Sequence, residues 1–312
     1  MQNFIDPKII YEYRKQFELH AATRCQKFNI FHTNATCNRY LEKKQSTCGS
    51  ILKMTHRKNN KSEYPLITWR CYRCSTYQSI LNSSFFGLFH KPLFVLMKII
   101  QNWAAESSVE KCLTNLKFDN IEICRQTISK MYTRLRNICS ESIDRQNIKL
   151  GGDGVIVEID ESLYARNIYS DKWAAYNDIK ALYHLKLKHE TVNHSLYFVN
   201  PDSFVCTNKI ESYWNASKYK FKSMCGCMRM LIQGYLDEFM WRKNNKLERF
   251  TAFDAILAEI GKAYNIYEIS EEFIKEIELR ESRDLQDEEI GFWVDDDVNE
   301  ELEIEFDNKA LI

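Results

Sequence analysis

Nowhere in the 312 residues does an apolar run approach the roughly 18 residues that a membrane span needs. The opening MQNFIDPKIIYEYRKQ also lacks the apolar stretch and small-residue cleavage site of a secretory signal, so the chain is expected inside the cell and away from membranes. No internal repeat and no Pro/Gly/Ser-rich linker breaks it, and domain boundaries must be read from changes of pattern. A net charge is missing too, with 43 Lys/Arg against 43 Asp/Glu, but the balance is only global. Residues 271–312 hold 17 acidic against 4 basic side chains, leaving 26 acidic and 39 basic in residues 1–270. A body at +13 joined to a tail at −13 points to a polyanionic partner for the body and a solvated tail.

With 45% hydrophobic and 13% aromatic residues, there is apolar surface enough for real cores. Eleven cysteines in an intracellular chain do not read as a disulfide framework, so their spacing decides between a metal site and buried thiols. Cys71 and Cys74 in WRCYRC form a C-x2-C knuckle, and Cys48 in TCGS offers a third thiolate. The position three residues before Cys48 is Gln45, so a tetrahedral zinc ion must draw its fourth ligand from Cys37, with Cys25 and His32 as the alternatives. The other cysteines are scattered at helix-core or loop positions, where a buried thiol is the plain reading.

A helix is expected around Pro7 to His20, and from Lys91 the pattern turns helical again. Pro92 suits the first turn of a helix carrying Leu93, Leu96, Met97, Ile100 and Trp103 on one face. Ser107 with Glu110 has the spacing of a capping box ahead of Val109, Cys112, Leu113 and Leu116. A third helix, about 121–140, buries Ile128, Met131, Tyr132, Leu135 and Ile138 and sets Arg125, Ser129, Lys130, Thr133 and Arg136 on its other side. This is a helix-turn-helix pattern, in which Arg125, Lys130 and Arg134 would meet phosphates or base edges of duplex DNA.

Beyond the GGDG break at 151–154, VIVEIDE, YHLKLKH and HSLYFV alternate like strands, and an apolar helical stripe follows through Met228, Leu231, Ile232, Tyr235, Leu236, Phe239 and Met240. Asp160, Asp171 and Glu211 form a D, D, E set; three such carboxylates held together can bind two Mg²⁺ ions for phosphoryl transfer. The blocks VEIDES, SDKWAAY, VNHSLYFVNP, TNKIESYW and GYLDEFMWRK, in this order, resemble the signature blocks of Merlin-type DDE transposases and their ISXO-type insertion-sequence relatives. WRCYRC followed by SILNSSFF, and TISKMYTRLR, are similar to that family's zinc ribbon and helix-turn-helix, so the resemblance runs from about Cys37 to Tyr264.

The resemblance implies an RNase H-like catalytic domain in which Asp160, Asp171 and Glu211 hold Mg²⁺ or Mn²⁺, flanked by His194, Asn208 and Trp214. It also implies cleavage and joining of DNA at terminal inverted repeats, a homo-oligomer on that DNA, and residence in the nucleus. Cys206, where relatives commonly have His, and Asp153, where Pro is usual, depart from the pattern. Lys218 and Lys220, with Lys209 and Lys222 near them, are further candidate DNA contacts beside Glu211.

The expected fold is α+β and multidomain. An N-terminal segment (1–35) precedes a zinc-ribbon-like module (36–88) and a helix-turn-helix domain (89–148). A truncated RNase H-like α/β domain (149–268) and an acidic, largely disordered tail (269–312) complete it. The truncation lies between the aspartates. Adjacent parallel strands need a crossover of roughly a dozen or more residues, and only ten separate Asp160 from Asp171. Catalysis is therefore expected to be impaired, and a DNA-binding protein without chemistry is the alternative function.

Overall fold

The computed structural model describes residues 7–57, 65–82, 84–145, 199, 201, 208–224, 226–227 and 229–264. The strands expected around Asp160, the following YHLKLKH and HSLYFV, and the acidic tail lie outside the described residues. Among the described residues the fold is α+β, with seven helices and two small sheets. None of these helices is long and apolar enough to cross a membrane. The chain divides into two compact units, Met1–Ile143 with Asp237–Ile312, and Asp144–Leu236.

In the first unit, helix α1 (Pro7–Lys27) runs a full two turns beyond the expected His20, because no breaker interrupts it before Asn29. Asn29 takes a left-handed conformation (φ 58°), the Ile30 N–H bonds back to the Cys25 carbonyl at 2.9 Å, and the Asn29 N–H bonds to that of Gln26 at 3.1 Å. This is the Schellman termination, with Asn where glycine is usual. Helices α2 (Leu93–Ala104), α3 (Val109–Phe118) and α6 (Arg229–Asn244) end the same way on Glu106, Asn120 and Lys246. A chain with nine glycines thus places ordinary residues at positive φ to stop its helices.

The ribbon follows α1. Strands β1 (Tyr40–Leu41) and β2 (Ser46–Thr47) pair antiparallel around a 3-10 turn at Glu42–Lys44, and Gln45 closes that turn at φ 46°. Strands β3 (Lys53–Arg57), β4 (Leu66–Arg70) and β5 (Tyr77–Ser79) form a second antiparallel sheet with β4 in the centre. Ile67 and Trp69 of β4 are buried, and α1 packs against that strand. His56 Nε2 donates to the Lys15 carbonyl of α1 at 2.9 Å, and burial lowers its pKa. A 3-10 segment, Phe85–Phe89, then buries four side chains; Phe85 contacts Phe86 and Tyr264 at centroid distances of 5.4 and 5.2 Å, tying ribbon to bundle.

Helices α2, α3 and α4 (Arg125–Ser142) pack on one another, α2 and α4 also meet α7 (Thr251–Ala263), and α1 packs on α2. The expected stripes of α2 and α4 are buried as the periodicity requires. The capping of α3 differs by one residue: its N-cap is Ser108, which accepts the Lys111 N–H at 3.2 Å, while Ser107 is buried. Glu110 instead turns to Arg125 at the start of α4, 2.6 Å away.

Helix α2 is capped at both ends by side chains from elsewhere. At its N-terminus, Glu18 of α1, 1% exposed, accepts the Phe94 N–H at 3.2 Å. Burial pushes this carboxyl up to about 8, against the lowering effect of the Phe94 and Leu93 N–H groups. At the C-terminus, Arg242 of α6 donates to the carbonyls of Trp103 and Ala104, both at 3.1 Å. It also stacks 4.4 Å from the Trp103 ring centroid and pairs with buried Glu238. The end of α6 therefore buries Asp237, Glu238, Trp241 and Arg242, whereas Met240, expected in the apolar stripe, is exposed. The stripe is rotated because satisfying the last carbonyls of α2 puts the arginine, not the methionine, inside. Residues Asp237 to Tyr264, grouped by pattern with the carboxylate-bearing region, lie in the same unit as α2, α3 and α4.

In the second unit the described elements are α5 (Asn208–Ser223) and the first half of α6, with Phe221 and Tyr235 in edge-on contact at 5.8 Å.

Candidate metal centre and nucleic-acid interface

Cys37, Cys48, Cys71 and Cys74 bring their sulfurs within 4.8 Å of one another. Cys37 and Cys74 are 3.5 Å apart, and Cys48 and Cys71 are 3.7 Å apart. A tetrahedral ion with Zn–S bonds of about 2.3 Å requires sulfur edges of about 3.8 Å, so the tetrad has both the donor set and the spacing of a structural zinc site.

The backbone explains how a broken knuckle still completes the set. Cys71 and Cys74 flank the turn between β4 and β5, where Ser75 sits at φ 54° and the Cys71 N–H bonds to the Thr76 carbonyl. Cys48, followed by Gly49 at φ 63°, lies just past β2, and Gln45 is spent on closing the hairpin. Cys37 reaches the site from the opposite side of that hairpin: its N–H bonds to the Ser50 carbonyl, and its carbonyl accepts from Gly49. The alternative ligand Cys25 is buried in the helical core with its thiol pKa pushed up by burial, and His32 is outside the cluster.

The electrostatics suit metal binding unevenly. The Thr76 hydroxyl, 3.0 Å from its sulfur, holds the Cys74 thiol down to about 6, and the Ser50 hydroxyl lowers that of Cys48. Burial pushes Cys37 up to about 12, and a cation between the four sulfurs is what would deprotonate it.

The residues expected to meet DNA occupy different settings. Arg125 is exposed and ion-paired with Glu110, and Lys130 is half-buried. Arg134 is 2% exposed, with its guanidinium 4.9 Å from the Phe89 ring centroid, so in this arrangement it is not presented to a duplex. The signal was in the spacing: Arg134 lies three residues after Met131 and four before Ile138, on the buried stripe. Arg136, drawn on the polar face, is buried as well, with Nη2 donating to Thr133.

Glu211 is half-buried in the first turn of α5. Lys218 and Lys222 follow it by seven and eleven residues and share its face, while Lys220, nine residues on, points across the helix. Of the four lysines named from sequence, Lys218 and exposed Lys222 therefore stand on the Glu211 side of the helix and Lys220 on the other. Asn208 is exposed at the helix start and Trp214 half-buried. Asp160, Asp171 and His194 lie outside the described residues, so the carboxylate set is represented by Glu211 alone.

The ISXO2-like transposase domain matches residues 163–244. That match covers 82 of 312 residues and supports a DDE transposase family for the chain. Neither a curated protein nor a solved structure matches it. The transposase match takes in Asp171, Glu211, Lys218 and Lys220, begins just past Asp160, and leaves the cysteine tetrad and helices α2 to α4 outside. Its last residues, Asp237 to Asn244, belong to the first compact unit, where Trp241 packs 6.0 Å from Trp103 and Arg242 caps α2.

Proposed function

We propose that this chain is a transposase-derived DNA-binding protein of the Merlin and ISXO type. In this reading a zinc-stapled ribbon and the helix-turn-helix grip terminal inverted repeats, and cleavage and joining of DNA strands are impaired. The observation that carries it is the transposase match starting between the two aspartates, in a chain that leaves ten residues between them. A parallel return needs more chain than that, and an error of about 1 Å in placing a catalytic group costs on the order of 10²-fold.

Zinc at Cys37, Cys48, Cys71 and Cys74 supplies folding free energy to the ribbon. Asp160, Asp171 and Glu211 are the residues that would hold Mg²⁺ or Mn²⁺, and such ions, when bound, stabilise the attacking and leaving oxygens of phosphoryl transfer. Assembly as a homo-oligomer on DNA and nuclear residence belong to the same reading.

The test is a cleavage and strand-transfer assay with the full chain, Mg²⁺ or Mn²⁺, and duplexes carrying the terminal repeats of the element that surrounds its gene. Binding without cutting is expected. Cutting that falls when Asp160 is changed to Ala would falsify the impairment, and absence of any DNA binding would overturn the reading as a whole. Genomic sequence around codons 163–169 provides an independent check, since a skipped exon encoding further strands there restores the enzyme.

A further inference from the structure

The register of the ribbon sheet puts Lys53, Arg70 and Tyr77 side by side across β3, β4 and β5. Directly opposed residues share a face, so these three stand on the side away from Met54, Trp69 and Gln78. Trp69 is buried on that other side, toward α1. On the open side the side chains form an alternating ladder. Lys53 Nζ lies 5.7 Å from the Tyr72 ring centroid, and Arg70 Cζ lies 4.9 Å from Tyr72 and 5.4 Å from Tyr77. Arg57 Cζ lies 5.1 Å from Tyr77. Both rings reach solvent, at 59% and 37% exposure.

Two further observations bear on what this ladder meets. None of its three cations has a carboxylate within ion-pair distance among the described residues, and Arg70 Nε is buried without a hydrogen-bond partner there. The surrounding sequence, Thr36 to Asn82, carries nine Lys/Arg and only two acidic residues, Glu42 and Glu63. Cations held by aromatic faces have no neighbouring anion to offset their field, unlike cations in salt bridges, and lose less freedom when an anion arrives.

We infer that this face of the ribbon is a phosphate-binding strip for duplex DNA, with Lys53, Arg57 and Arg70 as the contacting cations and Tyr72 and Tyr77 as their positioning residues. Each ring already has two cations of the ladder within about 6 Å of its centroid, the range of a cation–π contact, so the tyrosines hold charge in place and are not open platforms for stacking bases. The contact is to the backbone and therefore indifferent to sequence. The inference rests on the DNA-binding reading proposed above and assigns that binding to a face carrying none of the residues expected from sequence.

The experiment measures Kd of the full-length, zinc-loaded protein for a labelled 30-base-pair duplex of arbitrary sequence between 50 and 300 mM NaCl. Each phosphate contact contributes about 0.9 to the slope of log K against log salt, so K53A/R57A/R70A is expected to flatten the slope by about 2.7. Binding near 0.15 M salt should weaken on the order of 100-fold, equally for unrelated sequences. The milder K53Q/R57Q, which keeps Arg70 between its two rings, is expected to flatten it by about 1.8. Zinc content of each variant guards against loss of the ribbon.

If wild type binds and K53Q/R57Q, with zinc retained, shifts the slope by less than about half a contact, the strip is refuted while DNA binding stands. If wild type binds no duplex, the strip falls together with the proposed function. If Y72L/Y77L loses a single-stranded oligonucleotide but keeps duplex affinity, the face stacks bases and the duplex assignment is overturned.

Discussion

Changing Glu18 to Gln tests which of two opposing forces governs the buried cap of α2. A helix N-terminus favours an anion, and Phe94 and Leu93 offer their N–H groups to this carboxyl; burial at 1% exposure disfavours the same anion. The balance raises the pKa from 4.5 to about 8. A raised carboxyl binds its proton more tightly in the folded state, so its contribution to stability is complete below about pH 4.5 and is lost as pH climbs through 8. At about 1.36 kcal/mol per pH unit, that loss amounts to roughly 5 kcal/mol, on the order of 3 to 6. Glutamine keeps an oxygen for the Phe94 N–H and has no proton to lose. Urea unfolding of both proteins at pH 5, 6, 7 and 8 should show the stability of Glu18→Gln minus that of wild type growing by several kcal/mol toward pH 8. Taking the difference cancels the titration of the cysteines, which both proteins share. If that difference is flat, the carboxyl is not desolvated; if it runs the other way, the helix N-terminus outweighs burial and the ordering of the two forces is wrong.

Gly261→Ala would put a Cβ 1.9 Å from the Phe28 carbonyl oxygen, a backbone atom that cannot swing aside, so a loss of about 2 to 4 kcal/mol is expected; an unchanged melting temperature would refute that close approach of α7 to the end of α1. Lys246→Gly, at an exposed position with φ 51°, should stabilise by about 1 kcal/mol by relieving left-handed strain, and a lower melting temperature counts against it. Cys37→Ser should drop bound zinc well below one ion per chain in metal analysis, whereas Cys25→Ser should leave it intact; equal zinc in both would remove Cys37 from the site.

What could be read in advance divides along local and non-local lines. The stripes of α2 and α4 were legible because apolar residues at three- and four-residue spacing report one face directly, and Cys71 and Cys74 were legible because their spacing is short. Cys37 could be named by elimination but not explained, since the hairpin that carries it across to Cys48 is a matter of pairing. Periodicity says that a face is buried without saying what buries it. It therefore could not show that Arg242 would turn inward to α2, or that Arg134 would lie against Phe89. The helix ends were opaque for a related reason: Asn29, Glu106, Asn120 and Lys246 occupy a conformation that only glycine advertises in sequence. The basic ladder has no local sequence signal because its members come from three strands and a turn, and alternate only once register is known.

Helix α2 joins these observations to function. Its first N–H groups are met by Glu18, 76 residues upstream of Phe94, and its last carbonyls by Arg242, 138 residues downstream of Ala104. Buried helix ends without partners are costly, and residues 89–148 contain neither cap. The end of the transposase match, Asp237 to Asn244, is therefore needed by the unit that holds α2, α3 and α4 whether or not strands are cut: without Trp241 and Arg242, the Trp103 indole and two carbonyls lose their cover. A protein that had lost its chemistry between Asp160 and Asp171 but still bound DNA would remain bound to this segment by packing alone. The transposase likeness at 237–244 is accordingly compatible with either fate of the active site, and it is the chain between the two aspartates that separates them.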